Sequence, residues 1–490
     1  IMSSNIFILL RQELLLSLLI FILLFIKIGK ERSNESILNL INGLLFVNLA
    51  AGLFGMTEGG IFNGMFTTNA FIVLEKNILN LAMLLISMQS YAWLKNHKQL
   101  AEFYLLLFTS LLGMFFMISS GNLLMFYLGL EMSTIPLAAA ANFDLAKRKS
   151  SEAAMKLILS SAFSSGILLM GISFLYGTTG TLSFDVLTAH ISNNPMQLFA
   201  FILLVSGFAF KISAVPFHLW TADVYEGAPV AVTAFLSVVS KAAVLFTFTT
   251  ILYKVFAPIA SVWYGVLVVL SIATILIGNL FALRQNNFKR FLAFSSIAQV
   301  GFILIGISGS SQAGSASLVY FVLIYVFSNL AAFGVVSVVS ALAGKENISD
   351  FKGFYKTNPF LSWVLTIALF SLAGVPPTAG FFGKLFLMMA GAAKDNYGLI
   401  IFASLNMVVS FFYYLKVVKA IFMDENEAPI QKLNVPGITK LAMYICMAGI
   451  IITGLASLVY DFGVRLYLLI KYWYLNKILW LLIRTTNLKT

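Results

Sequence analysis

Apolar runs repeat along nearly the whole chain, and short polar segments separate them. Most runs hold about twenty residues, enough for a helix to cross roughly 30 Å of hydrocarbon. Inside a run the apolar residues are continuous and do not alternate with polar ones, as they do in membrane barrels. An open sheet is excluded as well, because lipid offers no partners for its edge N–H and C=O groups. The pattern therefore predicts an all-α, polytopic membrane bundle.

The runs predict about 14 transmembrane helices. They group into three N-terminal helices within residues 1–100, a first repeat of five helices in 101–253, a second repeat in 258–421 and a last helix at 438–460. The predicted helices cover residues 6–28, 37–57, 71–93, 101–119, 121–143, 152–176, 197–219, 229–253, 258–283, 290–309, 314–343, 358–391, 397–421 and 438–460.

Two of these helices, the seventh and the twelfth, contain a proline and share a local pattern. Residues 209–218 read AFKISAVPFH and residues 369–378 read LFSLAGVPPT, with a Phe and a Val-Pro pair at the same spacing. Proline removes a backbone donor and clashes with the preceding turn, so the helices should break at Pro216 and Pro376. Matched breaks in two halves point to inverted repeats around a site at the membrane midplane. The alternative is coincidence, since proline kinks are common in membrane helices.

Composition supports a membrane protein and narrows its chemistry. Of the 490 residues, 60% are hydrophobic and only 10% are charged, whereas a soluble domain carries about 25% charge. The single cysteine, Cys446, excludes an internal disulfide and a cysteine-ligated cluster. The sequence has no glycine-rich phosphate loop and no histidine pair at ligand spacing. It thus predicts no cofactor-binding and no metal-binding residues in this chain.

Basic residues are concentrated in alternate loops between the predicted helices. Because positively charged loops stay on the cytoplasmic side, the N-terminus is predicted on the outer side. The loop at residues 221–227 is the exception, since it carries Asp223 and Glu226 but no base. The net charge of +12 is spread over the loops, which argues against a nucleic-acid partner. The loop bases are Lys27, Lys30, Arg32, Lys95, Lys98, Lys147, Arg148, Lys149, Arg284, Lys289, Arg290, Lys345, Lys352, Lys356, Lys419 and Lys432.

Four ionisable residues lie inside predicted helices, where a charge at the bilayer centre costs at least about 2.5–3.5 kcal/mol. Glu131 is in the middle of helix five, Lys211 lies beside the break in helix seven, Lys241 is in helix eight, and Lys384 follows the break in helix twelve. A lysine whose neighbouring carboxylate approaches or retreats changes its affinity for a proton. We therefore predict a proton-binding role for all four residues. The alternative is a static pair between Glu131 and Lys211 that locks the bundle.

Helix ten, the expected counterpart of helix five, has no acid. It carries Ser295, Ser296 and Gln299 instead. Two further residues are candidates for the proton path. His218 is suited to relay protons near neutral pH, or else it is an interfacial histidine with its hydrogen bonds satisfied. Lys416 in helix thirteen extends the path, unless its side chain snorkels to the membrane surface.

Other charged residues receive a structural interpretation. Glu152 and Lys156 are four residues apart near a helix start, which predicts a surface ion pair. Glu75 and Lys76 lie close to the end of helix three and are assigned no role. Residues 461–490 form a basic amphipathic tail, predicted to lie in the membrane interface rather than to cross it as a fifteenth span.

Residues 215–229, VPFHLWTADVYEGAP, closely resemble the signature of the antiporter-like membrane subunits of complex I. That family also includes subunits of multi-subunit cation/proton antiporters and of membrane-bound hydrogenases. Residues 372–384, LAGVPPTAGFFGK, are similar to the form found in subunit N of NADH–quinone oxidoreductase. Subunits L and M usually have a different sequence there, and M has Glu at the position of Lys384. The resemblance covers roughly residues 1–460.

The resemblance implies that Glu131, Lys211, Lys241 and Lys384 belong to a proton pathway and that His218 is the histidine of the helix-seven break. It implies a proton-translocating, non-redox membrane-arm subunit of NADH–quinone oxidoreductase in a bacterial-type inner membrane. Other membrane-arm subunits of complex I are then its partners in a hetero-oligomer, and NADH, FMN, iron–sulfur clusters and quinone are bound on partner subunits. The alternatives are a subunit of a cation/proton antiporter or membrane-bound hydrogenase, and a scaffold without transport.

Overall fold

The computed structural model describes residues 2–29, 32–54, 58–309 and 311–455. Twelve of the described helices are long and apolar enough to cross a membrane, which confirms the predicted all-α membrane bundle. The total of about 14 spans stays a prediction. The tail predicted at residues 461–490 lies outside the described residues.

The N-terminal part of the chain forms three long helices, with a short helix before them and a hairpin between the second and third. These elements are α1 (Met2–Leu9), α2 (Arg11–Ile28), α3 (Asn34–Leu53), β1 (Gly59–Ile61), β2 (Phe66–Thr68), α4 (Ala70–Gln89) and the single turn α5 (Tyr91–Leu94).

Two features of this part differ from the sequence prediction. The first predicted helix, residues 6–28, is divided at Leu10, whose backbone is not helical. Its second part starts with three polar residues, and Glu13 in that first turn is favoured by the positive end of the helix dipole. The antiparallel hairpin of β1 and β2 was not predicted. It turns through Gly64, whose φ of 80° suits glycine.

The next group of helices corresponds to the first predicted repeat. Its members are α6 (Leu100–Ile118), α7 (Leu123–Ala141), α8 (Arg148–Thr179), α9 (Phe184–His190), α10 (Pro195–Ile212), α11 (Leu219–Gly227), α12 (Val230–Phe235), a π-helical segment (Leu236–Ser240) and α13 (Lys241–Lys254).

The third group corresponds to the second predicted repeat and the last helix. Its members are a 3₁₀ turn (Ala257–Ile259), α14 (Ala260–Ala282), α15 (Phe288–Ile307), α16 (Ser311–Ala343), a 3₁₀ turn (Ile348–Phe351), α17 (Phe354–Thr357), α18 (Pro359–Ala373), α19 (Ala379–Ala392), α20 (Tyr397–Phe422) and α21 (Gly437–Leu455).

The two predicted helix breaks are confirmed at the same place in each group. The broken helix is the fourth membrane segment of its group, as α10 with α11 and as α18 with α19. The first break begins earlier than predicted, because α10 ends at Ile212 and Ser213 adopts a left-handed conformation. The second break begins at Gly374, also left-handed. Both helices thus end before the proline, whose ring disfavours helical backbone in the preceding residue.

The first break is tied to the second group by one hydrogen bond. The backbone N–H of Val215 donates to the hydroxyl of Thr274 on α14 over 3.0 Å. The break removes the helical acceptor of this N–H, so a side chain from another helix satisfies it.

The centre of the bundle is formed by α12–α13, α15 and α16. The most apolar stretch of each is 94% buried, whereas that of α20 is 33% buried. Residues that α13, α15 and α16 direct inward are therefore surrounded by protein, and α20 borders the outside of the chain.

Residues 221–227, predicted as an acidic loop, are helical instead and belong to α11, and their acids pair with bases of the neighbouring helices α8 and α15. Arg290 contacts Asp223 at 2.6 Å and Glu226 at 3.0 Å, and Lys156 contacts Asp223 at 2.6 Å. The carboxylate of Asp223 accepts a hydrogen bond from each of these two bases, Lys156 and Arg290. The acidic part of α11 therefore lies on the same side as the basic ends of α8 and α15. Lys156 also pairs with Glu152 at 2.7 Å, as predicted.

Helices α6 and α7 approach each other backbone to backbone through glycines. A Cβ atom added to Gly113 would lie 2.6 Å from the backbone nitrogen of Ser133. One added to Gly129 would lie 2.7 Å from the backbone nitrogen of Met117. Small residues let membrane helices pack this closely, and the contact holds α7, which carries Glu131, against the bundle.

We expect Gly113→Ala to destabilise the protein by about 1–3 kcal/mol, because the added methyl group overpacks the contact. Thermal unfolding in detergent measures the loss. The matched control is Gly166→Ala on α8, where no atom lies within 4 Å of an added Cβ. Equal stability of the two variants would contradict the close approach of α6 and α7.

Candidate functional site

Lys241 lies at the centre of the bundle, directly after the π-helical segment. Its side chain is 2% exposed, and its Nζ donates to the hydroxyl of Ser296 on α15 over 2.7 Å. The same Nζ lies 5.5 Å from the ring centroid of Tyr225 on α11. None of the described carboxylates is within ion-pair distance of it. The π-helical segment was not predicted from the sequence, and such segments are frequent at functional sites.

Hydroxyl and amide groups extend the polar surroundings of Lys241. Ser237, in the π-helical segment, lies 3.1 Å from the hydroxyl of Tyr325 and accepts a hydrogen bond of 2.8 Å from Asn329. Both partners are on α16. A small cavity lined in part by Lys241, Ser296 and Tyr325 adjoins this cluster. The ammonium group therefore faces groups that are able to donate and to accept protons.

Lys384 is held by the broken end of α18. Its side chain is 1% exposed, and its Nζ donates to the carbonyls of Leu372 at 2.8 Å and Ala373 at 3.2 Å. These carbonyls end α18 and have no helical partner. The negative end of the helix dipole also favours a cation there. The ring of Phe302 lies 4.9 Å from Nζ and adds a cation–π contact.

Helix α15 links the surroundings of Lys241 to those of Lys384. Gln299 donates to the carbonyl of Leu372 at 2.9 Å and to the hydroxyl of Tyr414 at 3.3 Å. Tyr414, on α20, also bonds to the hydroxyl of Ser295. Since Lys384 binds the same carbonyl as Gln299, and Ser296 beside Ser295 binds Lys241, one face of α15 lies between the two lysines. We name Ser295, Ser296, Gln299 and Tyr414 the α15 bridge.

Lys211 and Glu131 do not form an ion pair in this structure. The Nζ of Lys211, at the end of α10, donates to the hydroxyls of Thr134 at 2.8 Å and Ser161 at 2.6 Å. Both Lys211 and Glu131 are half-buried, and Oε1 of Glu131 has no hydrogen-bond partner. Thr134 follows Glu131 by three residues on α7, so the carboxylate is near the ammonium without binding it. The arrangement differs from a static lock between the two charges.

The structure does not bring the two lesser candidates into the α15 bridge. His218 lies in the first break, is 8% exposed, and has no hydrogen-bond partner at Nδ1. Lys416 is exposed on α20, whereas Tyr413 and Tyr414 on the same helix are buried. Sequence reasoning missed Tyr414, although the tyrosine pair in an apolar helix was a visible signal.

A polar cavity of about 690 Å³ lies beside the start of α12. Lys289 is one of the residues that line it. Its Nζ pairs with Glu346 at 3.1 Å and donates to the carbonyl of Ala228 at 3.2 Å. Glu226 lines the same cavity, and the next residue towards the bundle, Tyr225, is the one whose ring contacts Lys241. The cavity and Lys241 therefore contact neighbouring residues of the same helix, Glu226 and Tyr225 of α11.

Comparison with known proteins connects this chain to a family. The family described as NADH:quinone oxidoreductase/Mrp antiporter, TM, matches residues 120–410. NADH-quinone oxidoreductase subunit N of Phocaeicola vulgatus is 46% identical over 423 residues, which cover 85% of this chain and 89% of the relative. The same subunit of Rhodospirillum rubrum is 35% identical and covers 90% of this chain and 92% of its own.

Solved structures agree in fold. A chain of respiratory complex I from Thermus thermophilus, with bound aureothin, superposes with a TM-score of 0.79 at 27% identity, covering 91% of this chain and 97% of that one. A chain of the Mrp complex from Dietzia reaches a TM-score of 0.81 at 20% identity, covering 93% and 96%, and shows a shared fold. The family match spans more than half of the chain and the relatives match over most of their length. The chain therefore belongs to the NADH:quinone oxidoreductase/Mrp antiporter transmembrane family, in the group of the N subunits of NADH-quinone oxidoreductase.

Proposed function

We propose that this chain is a proton-translocating membrane-arm subunit of NADH-quinone oxidoreductase. The observation that carries the proposal is the pair of buried ammonium groups, Lys241 and Lys384, on either side of the α15 bridge. The hydroxyl groups of Ser295, Ser296 and Tyr414 can each donate and accept a hydrogen bond, so they suit proton transfer along α15. Buried ionisable groups in a membrane are costly, and such groups are typically functional.

Protons enter this path from the polar cavity beside α12 and pass Tyr225 to reach Lys241. The cavity is on the side that the basic loops predict to be cytoplasmic. In this proposal the membrane is a bacterial-type inner membrane and the N-terminus is on its outer side. Lys384, at the other end of the α15 bridge, releases the protons outward. The two carbonyl groups at the end of α18 stabilise the protonated ammonium of Lys384 before the proton is released.

Lys211 and Glu131 regulate the path. Because the carboxylate lies near the ammonium without binding it, a small shift of α7 or α10 changes their attraction and so the proton affinity of Lys211. An adjacent subunit regulates this one by causing such a shift of α7 or α10. His218, in the same break, relays protons near neutral pH, and Lys416 faces the outside of the chain, where a neighbouring subunit is able to contact it.

The energy for transport comes from partner subunits. Moving one charge against 100 mV costs about 2.3 kcal/mol. In this proposal, which follows the relatives named as subunit N, NADH, FMN, iron–sulfur clusters and quinone are bound on the other subunits of a hetero-oligomer. The chain is then a non-redox subunit of the translocase.

The second candidate function is a subunit of a cation/proton antiporter, favoured by the fold shared with the Mrp complex. Purification from the native membrane separates the two functions. Co-isolation with flavin-binding and iron–sulfur subunits supports the oxidoreductase, whereas isolation with antiporter subunits alone supports the second candidate.

Lys241→Ala and Lys384→Ala should each slow proton transfer through this subunit by about 10²–10⁴-fold, because each removes a proton-binding group from the path. Protons pumped per electron, measured in vesicles that contain the assembled complex, report the change. Lys440→Ala, at an exposed position of α21, is the control. A scaffold function predicts less assembled complex but unchanged pumping in what assembles, and that result would refute a proton path.

Gln299→Leu keeps a similar volume but removes the amide that joins Leu372 and Tyr414. We expect assembled complex with a lower ratio of protons to electrons, because the α15 bridge is interrupted between the two lysines. Gln431→Leu, in the exposed loop before α21, serves as the control for the chemical change. Unaltered pumping by Gln299→Leu would remove the bridge from the proton path.

Glu131→Gln and Lys211→Ala should both reduce pumping per electron in the assembled complex. The first removes the charge that acts on Lys211, and the second removes the group on which it acts. The measurement is the same proton-to-electron ratio, with quinone reduction followed in parallel. Full pumping by both variants would refute the regulatory relay.

A further inference from the structure

A buried ion pair joins α2 and α4 in the N-terminal group, apart from the lysines described above. Nζ of Lys76 bonds to Oε1 of Glu13, and the two side chains are 1% and 3% exposed. Lys76 is six residues into α4, about 9 Å from the helix end at 1.5 Å per residue. This pairing was not predicted, because the two residues are far apart in the chain.

Buried polar atoms without partners lie on α2, α3 and α4, and α3 packs against both of the other helices. Oε2 of Glu13 has no hydrogen-bond partner, and neither amide atom of Asn48 has one. Asn80 donates to the carbonyl of Leu45 at 3.1 Å, but its Oδ1 is also without a partner. Asn48 is 2% exposed and Asn80 is fully buried. Each such atom costs free energy unless it binds something.

Water is the ligand that these atoms fit. Buried waters in proteins typically bind about three otherwise unsatisfied polar groups. The unpartnered atoms belong to a carboxylate and to amides, so they offer both donors and acceptors to water. A bound metal cation is disfavoured, because the ammonium of Lys76 already balances the charge of the carboxylate.

A purely structural role accounts poorly for this pair. A buried ion pair stabilises a fold only when additional hydrogen bonds satisfy its remaining atoms. Here Oε2 of Glu13 has no hydrogen-bond partner. The amides of the neighbouring residues Gln12 and Asn77 do not bond to it but bond to each other at 2.8 Å. That amide pair packs tightly against α3, since a Cβ atom added to Gly52 would lie 2.0 Å from Oδ1 of Asn77.

An aromatic residue of the hairpin covers the ion pair of Glu13 and Lys76, and α4 connects the pair to the centre of the bundle. Phe66 of the hairpin lies with its ring centroid 5.0 Å from Nζ of Lys76 and is itself 1% exposed. Helix α4 also packs against α12, α16 and the π-helical segment that precedes Lys241. One helix therefore contacts both the N-terminal pair and the centre of the bundle.

We propose that Glu13 and Lys76 form a second, hydrated proton-binding site, in which water bound to Asn48, Asn80 and the free carboxylate oxygen exchanges protons with the pair. The hairpin covers the site on the side assigned to the outside, and α4 couples its charge to the path through Lys241. The proposal rests on the proposed function in one respect: it assumes that this subunit moves protons.

Cysteine accessibility tests the hydration. In a Cys446→Ala background, the assembled complex in vesicles is treated with the small water-soluble reagent 2-aminoethyl methanethiosulfonate, and mass spectrometry locates the label in this chain. We expect Asn48→Cys and Asn80→Cys to react, whereas Leu79→Cys, fully buried on the same helix as Asn80, stays unlabelled. The proposal is overturned if Asn48→Cys and Asn80→Cys are as unreactive as Leu79→Cys.

The proton-binding role is tested with the double variant Glu13→Gln/Lys76→Met, which removes both charges and so leaves neither unpaired. We expect normal assembly with a loss of protons pumped per electron. Asp185→Asn/Lys254→Met removes an exposed ion pair and should pump like the parent. Full pumping by Glu13→Gln/Lys76→Met overturns the proposal even if the asparagine positions are labelled. Full pumping by Lys241→Ala, in contrast, is the failure of the proposed function itself.

Discussion

The structure depends on how an ammonium group is accommodated among membrane helices, where water is scarce. Removing such a charge from water is costly, and oxygen atoms of the protein must replace the lost hydration. Four lysines within the membrane helices have different partners that replace water. Lys384 uses two backbone carbonyls, Lys211 uses two hydroxyls and Lys241 uses one hydroxyl with an aromatic ring. Only Lys76 uses a direct carboxylate partner among these four.

The broken helices supply part of this solution. An intact helix offers no free carbonyl at the middle of the membrane, because its own amide groups occupy them. Ending α18 at a left-handed glycine leaves the carbonyls of Leu372 and Ala373 available, and both Lys384 and Gln299 use them. The proline after the break and Lys384 in α19 therefore act together, because the proline leaves free the carbonyl groups that the lysine binds.

Much of this could be predicted from the sequence because it rests on local properties. Hydropathy predicted the spans, and the two prolines predicted the breaks, although α10 ends at Ile212, four residues before Pro216. Charge in an apolar run marked Lys241 and Lys384 as unusual. The pairing of Glu13 with Lys76 and the contact of Gln299 with Leu372 could not be predicted, because they depend on which helix faces which. Local pattern also did not show that Lys416 faces outward while Tyr414 faces inward, nor that a π-helical segment precedes Lys241.

The hydrogen bond from Val215 to Thr274 has a consequence for how the two halves move. It joins the break of the first group to the first helix of the second, and the contact of Lys241 with Ser296 joins them again. Transporters that carry larger solutes rock one half against the other to expose the cargo alternately to each side. Here such rocking would break both bonds and leave a backbone amide and an ammonium unsatisfied in oil. A proton needs no such opening, because it hops between fixed oxygen and nitrogen atoms, so the two halves are free to remain joined.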